Sequence, residues 1–140
     1  MILIIHTADL EKVFIGLVSK SKLVSSKTFK AKYQQAEKLL PQIDKLIKEA
    51  GYKLKDLKGI AVVNGPGPFT ALRIGVVTAN TLSWALKITV TAVRLSEFKD
   101  LSDLVKVASS RLKKAQQRKK GTTVKPFYGK QPNITIKKKK

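Results

Sequence analysis

A glycine- and proline-rich run at residues 65–75 constrains the fold of this chain more than any other segment. It directly follows residues 59–63, an apolar run typical of a buried parallel strand, and it leads into a helical pattern. Gly65 and Gly67 permit backbone conformations that other residues resist, and the two prolines stiffen the turn. The pattern therefore predicts a tight corner between strand and helix, with backbone N–H groups pointing out of the helix start. Such a corner can bind an anion, be contacted by a partner protein or simply turn the chain.

Hydrophobic periodicity predicts a mixed order of strands and helices around that corner. The first three strands are close in sequence and should form an antiparallel meander, with the polar third strand near an edge. Pro41 lies inside the first helix and is expected to kink it. The predicted elements are strands at 2–5, 13–18 and 23–29, a helix at 31–50, a strand at 59–63, a helix at 72–86, a strand at 88–93, and a helix starting near Ser96 as N-cap.

The run at 65–75, GPGPFTALRIG, resembles the GPGSFTGLRIG signature of the TsaB family, also called YeaZ. Residues 1–8 resemble the first strand of that family, residues 35–44 its first-helix motif, and residues 126–130 its short Pro-x-Tyr segment. The resemblance covers residues 1 to about 100 and this short tail segment. The sequence departs from the signature at Pro68, where the family has serine, and at Ala71, where it has glycine.

The resemblance implies a fold and a division of the chain. It implies an α/β fold of the RNase H-like type found in the actin and sugar-kinase superfamily, present as a single half with a mixed five-stranded sheet and flanking helices. TsaB proteins have two such halves, and only the first is recognisable here. We therefore expect a TsaB-type domain at residues 1–108 and a basic linker and C-terminal tail at 109–140, with the stretch after 108 mobile or weakly helical.

The resemblance also implies a role without catalysis. TsaB is the non-catalytic partner of TsaD in the synthesis of threonylcarbamoyladenosine in tRNA, and a TsaE-like ATPase would be a further partner. The family pairs with TsaD through its first helix and the neighbouring elements, which suggests Gln35, Leu39, Ile43 and Leu46 at the contact. The residues of the signature loop are Gly65, Pro66, Gly67, Phe69, Thr70, Arg73 and Gly75. Phe69 is expected to plug the sheet under the loop, and Arg73 to reach a phosphate, a carboxylate or the loop carbonyls.

Several residue types needed for catalysis are scarce. The chain has no cysteine and one histidine, His6, so a cluster of histidine or thiolate metal ligands is excluded. His6 occupies the place of the aspartate that is common at the end of the family's first strand. Its presence argues against the hypothesis that this chain is an ATPase. No lysine of the P-loop type follows the glycines, and Asp9 and Glu11 fall in a predicted turn as solvated acids. We expect no cofactor and no metal.

The charge is strongly positive and unevenly spread. Lysine and arginine number 29 against 9 acids, for a net charge of +20, and the segment 109–140 contains 12 basic residues and no acid. Such a segment attracts polyanions through their phosphates. The alternative is that these charges serve only to keep the protein soluble. The expected nucleic-acid contacts, through which the complex would hold tRNA, are Lys113, Lys114, Arg118, Lys119 and Lys120. Scattered aromatic residues offer no array for stacking on bases.

Two other functions remain open from the sequence. One is a free-standing basic RNA-associated domain, and the other is a degenerate nucleotide-binding protein of the kinase superfamily.

The apolar start at residues 2–5 is too short for the core of a signal peptide, and no apolar run approaches the length that spans a bilayer. We therefore expect a cytoplasmic protein without membrane contact.

Overall fold

A computed structural model of the chain describes residues 1–117 and 123–128. Five strands form one mixed sheet in the order β3-β2-β1-β4-β5. The strands are β1 (Ile2–His6), β2 (Lys12–Ser19), β3 (Lys22–Lys30), β4 (Gly59–Gly65) and β5 (Thr89–Arg94). β1, β2 and β3 pair antiparallel, as the meander predicts, and β4 pairs parallel with both β1 and β5. The third strand lies at an edge, as expected.

Three helices cover the two faces of the sheet. They are α1 (Gln35–Glu49), α2 (Phe69–Leu86) and α3 (Leu101–Gln117). Short 3₁₀ turns at Leu54–Asp56 and Leu95–Glu97 complete the described structure. Pro41 lies inside α1, and Gly51 follows its end with a positive φ of 86°, as a helix C′ residue requires.

Two hydrophobic clusters hold the helices to the sheet. Successive side chains of a strand point to opposite faces, so Leu3 and Ile5 of β1 face α1 and α2, while Ile4 faces α3. All seven residues of β4 are buried, because this strand lies between two neighbours and under helices on both faces. Burial of this apolar area is the main favourable contribution to folding.

The last helix differs from the sequence prediction in its start and in its end. Ser96 belongs to a 3₁₀ turn, and Asp100 takes the capping position, with its carboxylate accepting a hydrogen bond of 2.9 Å from the Asp103 N–H. The helix also continues past residue 108 to Gln117, because Ala108 and Leu112 both fill the cluster against β4 and β5. Lys113 and Lys114 are exposed on this packed helix, Arg111 is half-buried against β5, and the helix extends beyond the expected boundary at residue 108.

Candidate functional site

The signature loop lies at the carboxyl end of β4, beside the end of β1. Gly65 has a φ of +124°, and a Cβ atom there would collide with the carbonyl oxygen of Phe127. Gly67 passes so close to the backbone of Ala8 that an added Cβ would lie 2.8 Å from its carbonyl oxygen. The two glycines are therefore required by a positive φ and by two close approaches of backbone.

The first turns of α2 are fixed to the end of β1. The hydroxyl of Thr7, which is fully buried, donates a hydrogen bond of 2.7 Å to the carbonyl of Ala71. A Cβ on Gly75 would collide with the same hydroxyl, so glycine lets the helix lie against the strand. Pro66 and Thr70 remain exposed at the corner. The sequence prediction of a tight corner from strand to helix is confirmed in this geometry.

A later segment of the chain, residues 123–128, covers the loop. The side-chain amide of Asn80 accepts a hydrogen bond from the Val124 N–H and donates one to the Val124 carbonyl, both at 2.9 Å. The Asn64 side chain donates to the Lys125 carbonyl at 2.9 Å, and the Asn64 carbonyl accepts from the Phe127 N–H at 2.8 Å. The Pro-x-Tyr segment thus packs on the signature loop, while Gly129 and Lys130 of the predicted motif lie outside the described residues.

Two aromatic contacts complete this cover. The rings of Phe69 and Tyr128 have centroids 4.3 Å apart, and the guanidinium of Arg94 lies 3.9 Å from the centroid of the Phe127 ring. Phe69 is 49% exposed, so the prediction that it plugs the sheet is wrong. It is the first residue of α2, outside the hydrophobic core, and it contacts the covering segment instead.

Arg73 lies away from the loop. Its side chain lines a groove of about 290 Å³ between α1 and α2, together with Ala36, Ile74, Val77 and Thr78. Among the described residues it forms no hydrogen bond to a loop carbonyl, because it lies one turn into the helix, on the exposed side. Its expected role at the loop is therefore not supported by its position.

His6 ends β1 as a structural residue. Its Nδ1 accepts a hydrogen bond of 3.2 Å from the Ala8 N–H, and its ring lies edge-on to Phe98 at 6.0 Å. Burial lowers the pKa of His6 below its usual value, against an opposing effect of the nearby Asp9 carboxylate. The imidazole is therefore neutral at pH 7 and supplies no charge to the loop.

The residues predicted at the partner interface are buried in the chain's own core. Leu39 and Ile43 are 1% exposed and Leu46 is 2% exposed, all in the cluster against the sheet. Gln35 is 4% exposed, and its side chain donates to the carbonyl of Leu10 at 3.3 Å. This corrects the prediction, because the apolar stripe of α1 packs on its own sheet and cannot also contact a partner.

A different apolar surface is exposed on the outer sides of α1 and α2. Leu40 of α1 is 51% exposed, and Val77 and Trp84 of α2 are 61% and 82% exposed. Val77 and Trp84 are seven residues apart, so they lie on one side of the helix, and Val77 lines the groove beside Ala36 of α1. We call Leu40, Val77, Trp84 and this groove the α1–α2 surface.

The sequence contained a signal for this surface that periodicity alone did not reveal. α2 has 18 residues and only one charged side chain, Arg73. A surface helix normally carries charged and polar residues on the side that faces solvent, and α2 has only one charge there. Because one side of α2 packs on the sheet, its remaining apolar side chains are left exposed.

The predicted nucleic-acid contacts are only partly visible. Lys113 and Lys114 are exposed on the last turns of α3. Arg118, Lys119 and Lys120 lie outside the described residues. Within 1–117 and 123–128, no three histidine, cysteine or acidic side chains come together as metal ligands, and no helix has the length and apolar character needed to cross a membrane.

Comparison with known proteins identifies relatives of this chain by sequence. The family model described as TsaD, tRNA N6-adenosine threonylcarbamoyltransferase, matches residues 29–98, which is half of the chain. The TsaB protein of Buchnera aphidicola subsp. Schizaphis graminum is 36% identical over 99 residues, covering 71% of this chain and 45% of the relative. The TsaB protein of Bacillus subtilis is 32% identical over 79 residues, covering 56% of this chain and 34% of the relative.

A solved structure of a YeaZ protein is also similar to this chain. YeaZ from Pseudomonas aeruginosa superimposes with a TM-score of 0.61 at 31% sequence identity, covering 66% of this chain and 43% of that chain. The predicted RNase H-like fold is confirmed by this likeness and by the family model. The chain spans less than half the length of these relatives. The chain therefore belongs to the TsaB/YeaZ family, within the wider group of proteins that the TsaD model describes.

Proposed function

We propose that this chain is a non-catalytic partner subunit in the synthesis of threonylcarbamoyladenosine in tRNA, and that it pairs with a TsaD-like subunit. Its relatives are named as TsaB proteins of that biosynthesis, which supports the pathway. One observation supports pairing above the others, namely the exposed apolar α1–α2 surface. Monomeric proteins rarely expose contiguous apolar patches without an interaction to explain them.

The chemistry of this surface suits a helical partner. Trp84 is 82% exposed, and a tryptophan that becomes buried removes about 150–250 Å² from water, for a gross gain of about 4–6 kcal/mol. Tryptophan is also enriched among the residues that dominate binding energy at interfaces. The groove beside Val77 is lined by Ala36, Ile74 and Thr78, so it accepts an apolar side chain from a facing helix. Arg73 at its rim can pair with a carboxylate of the partner.

Trp84 allows a direct test because it is the only tryptophan of the chain. The protein is labelled with 5-fluorotryptophan, and its fluorine resonance is recorded while an unlabelled TsaD-like subunit of the same organism is added. We expect the resonance to shift and broaden at a stoichiometric ratio, since the indole loses contact with water. An unchanged resonance in a mixture that co-elutes as a complex would place the interface elsewhere. A resonance that already shifts with the concentration of this chain alone would identify self-association at the same surface.

The absence of catalysis is also part of the proposal. A neutral, hydrogen-bonded His6 and a loop covered by residues 123–128 are consistent with a subunit that does not turn over a nucleotide. We expect no ATP hydrolysis and no threonylcarbamoyl transfer by the isolated chain. ATP turnover that survives repurification and is abolished by Thr70→Val, a change at the helix start, would instead support the degenerate kinase-superfamily alternative.

The remaining partners are proposals of the same kind. A TsaE-like ATPase and tRNA held through the complex follow from the assignment to this biosynthesis, and the cytoplasmic location remains a prediction. A free-standing RNA-associated domain is the alternative that would hold if the chain bound RNA but no TsaD-like subunit.

A further inference from the structure

We propose that the β5–α3 side of the sheet binds the phosphate backbone of RNA in a sequence-independent manner. β5 is the outermost strand of the sheet, so one of its edges has no neighbouring strand among the described residues. Two open grooves lie along this strand, one against the side of α3 and one at its amino end. The inference does not depend on pairing with a TsaD-like subunit, because neither groove shares a lining residue with the groove at Val77.

The first groove has a volume of about 540 Å³ and lies between β5 and α3. Lys106, Ser110 and Lys114 line it from the helix, at four-residue spacing that places them on one side. Thr91 lines it from β5. Lys106, Ser110 and Lys114 are exposed, so this groove offers two ammonium groups and one hydroxyl that can donate hydrogen bonds to phosphate oxygens, while Thr91 is buried.

The second groove has a volume of about 730 Å³ and lies at the amino end of β5. Lys55, Lys58 and Lys87 line it, each exposed, together with Thr89 and Gln116. These lysines come from three separate parts of the fold, namely a 3₁₀ turn, the start of β4 and the end of α2. Since the fold brings them to one groove, their proximity is a tertiary feature that the sequence alone does not show.

The two grooves join along β5. Thr89 and Thr91 are two residues apart on one strand, so their side chains point to the same face at a separation of about 7 Å. Along α3, Lys106 and Gln116 are separated by about 15 Å of helix. A surface of this length matches several successive phosphates of a polynucleotide better than one small anion. We call the five lysines and two threonines of both grooves the β5–α3 track.

The charge balance of the track is positive. Among the described residues, neither groove is lined by an acid, and none of the five lysines forms a salt bridge. Three acids lie nearby: Glu97 is paired with Arg111 at 2.6 Å, while Asp56 and Asp103 accept hydrogen bonds from the backbone N–H groups of Lys53 and Lys99. The carboxyl ends of α2 and α3 each contribute about half a negative charge. Five ammonium groups exceed the combined opposing charge of Asp56, Asp103 and the two helix ends, so the lysines do more than balance their surroundings.

The test compares two triple variants of the full chain with equal loss of charge. The track variant carries Lys58→Gln, Lys87→Asn and Lys106→Gln, with asparagine chosen because Lys87 has a positive φ of 56°. The control variant carries Lys22→Gln, Lys30→Gln and Lys45→Gln, three exposed lysines near the opposite edge of the sheet. Binding of a tRNA transcript is measured by filter retention over a salt series, and folding of both variants is checked by their thermal midpoints.

The expected result is a tenfold or greater loss of affinity for the track variant, with a slope of log affinity against log salt reduced by about 2 to 3. On the same logarithmic scale, the control variant should lose less than half as much affinity for tRNA as the track variant. Equal losses in the two folded variants would show that net charge, and not this track, governs binding. Equal loss of affinity for anionic lipid vesicles and for tRNA in the track variant would also overturn the assignment to RNA.

Discussion

Two adjacent leucines of α1 have opposite environments. Leu39 is 1% exposed in the cluster against the sheet, while Leu40 is 51% exposed on the outer side of the helix. A helix turns by about 100° per residue, so neighbours in sequence face different surroundings. The same side chain therefore contributes to stability at one position and is available for binding at the next.

This pair gives a prediction with an internal control. Leu39→Ala should lower the free energy of unfolding by about 2–5 kcal/mol, because it leaves a cavity against the sheet. Leu40→Ala should change it by less than about 0.5 kcal/mol, as is usual for an exposed site. Urea denaturation of both variants measures the difference. Similar losses in the two variants would contradict the assigned orientation of α1.

The contact between Gly75 and Thr7 gives a second prediction at this scale. Gly75→Ala should destabilise the fold, although alanine favours helices, because its Cβ would meet the Thr7 hydroxyl. Thr7→Ala alone loses the hydrogen bond to Ala71, but combined with Gly75→Ala it removes the collision. We expect the double variant to be more stable than the sum of the two single losses predicts. If the stability losses of the two single variants simply add up in the double variant, the two side chains do not collide in the way described.

At the scale of elements, one ion pair fastens α3 to the end of β5. Arg111 donates two hydrogen bonds to the Glu97 carboxylate, at 2.7 and 2.6 Å, and another of 3.0 Å to the Ala92 carbonyl. The hydrogen bond from Arg111 lowers the pKa of Glu97 from 4.5 to about 2, with smaller help from the Arg94 N–H. Arg111 thus bridges the helix, the strand and the 3₁₀ turn that joins them.

The lowered pKa of Glu97 predicts how this pair responds to pH. A depressed carboxyl pKa stabilises the fold above the unfolded value near 4.5, and that stability is lost as the pH falls through about 2. Wild type should therefore exceed Glu97→Gln in stability at pH 6, and the difference should shrink steadily between pH 4.5 and 2. Urea midpoints at several pH values measure it. A difference that stays constant with pH would show that the carboxylate charge contributes nothing.

The sequence predicted elements better than it predicted which surfaces they expose. The meander, the buried strand β4 and the corner at Gly65 follow from local patterns, namely alternation, apolar runs and glycine with proline. The burial of Leu39 and the exposure of Trp84 depend on which side of each helix meets the sheet, and two helices share that face. The helix at residues 109–117 was hard to predict because Leu112, which is buried in the cluster against the sheet, has basic residues on both sides in the sequence.

At the scale of the whole molecule, the two faces of the sheet present different chemistry. The α1–α2 side exposes apolar residues such as Val77 and Trp84, while the β5–α3 side exposes lysines. The covered signature loop lies at the carboxyl end of β4, where Asn64 and Asn80 bind the backbone of residues 123–128. This separation allows one small domain to pair with a protein partner on one face and leave the other face free.

The central claim is that the α1–α2 surface pairs with a TsaD-like subunit, and two valines test it most directly. Val77 on α2 is 61% exposed and Val24 on β3 is 46% exposed, so the same change to aspartate introduces one charge on each of two separate surfaces. The dissociation constant of each variant with the TsaD-like subunit is measured by isothermal titration calorimetry. We predict that Val77→Asp weakens binding at least tenfold, about 1.4 kcal/mol, while Val24→Asp stays within about twofold of wild type. Equal affinity of both folded variants and the wild type would contradict the account.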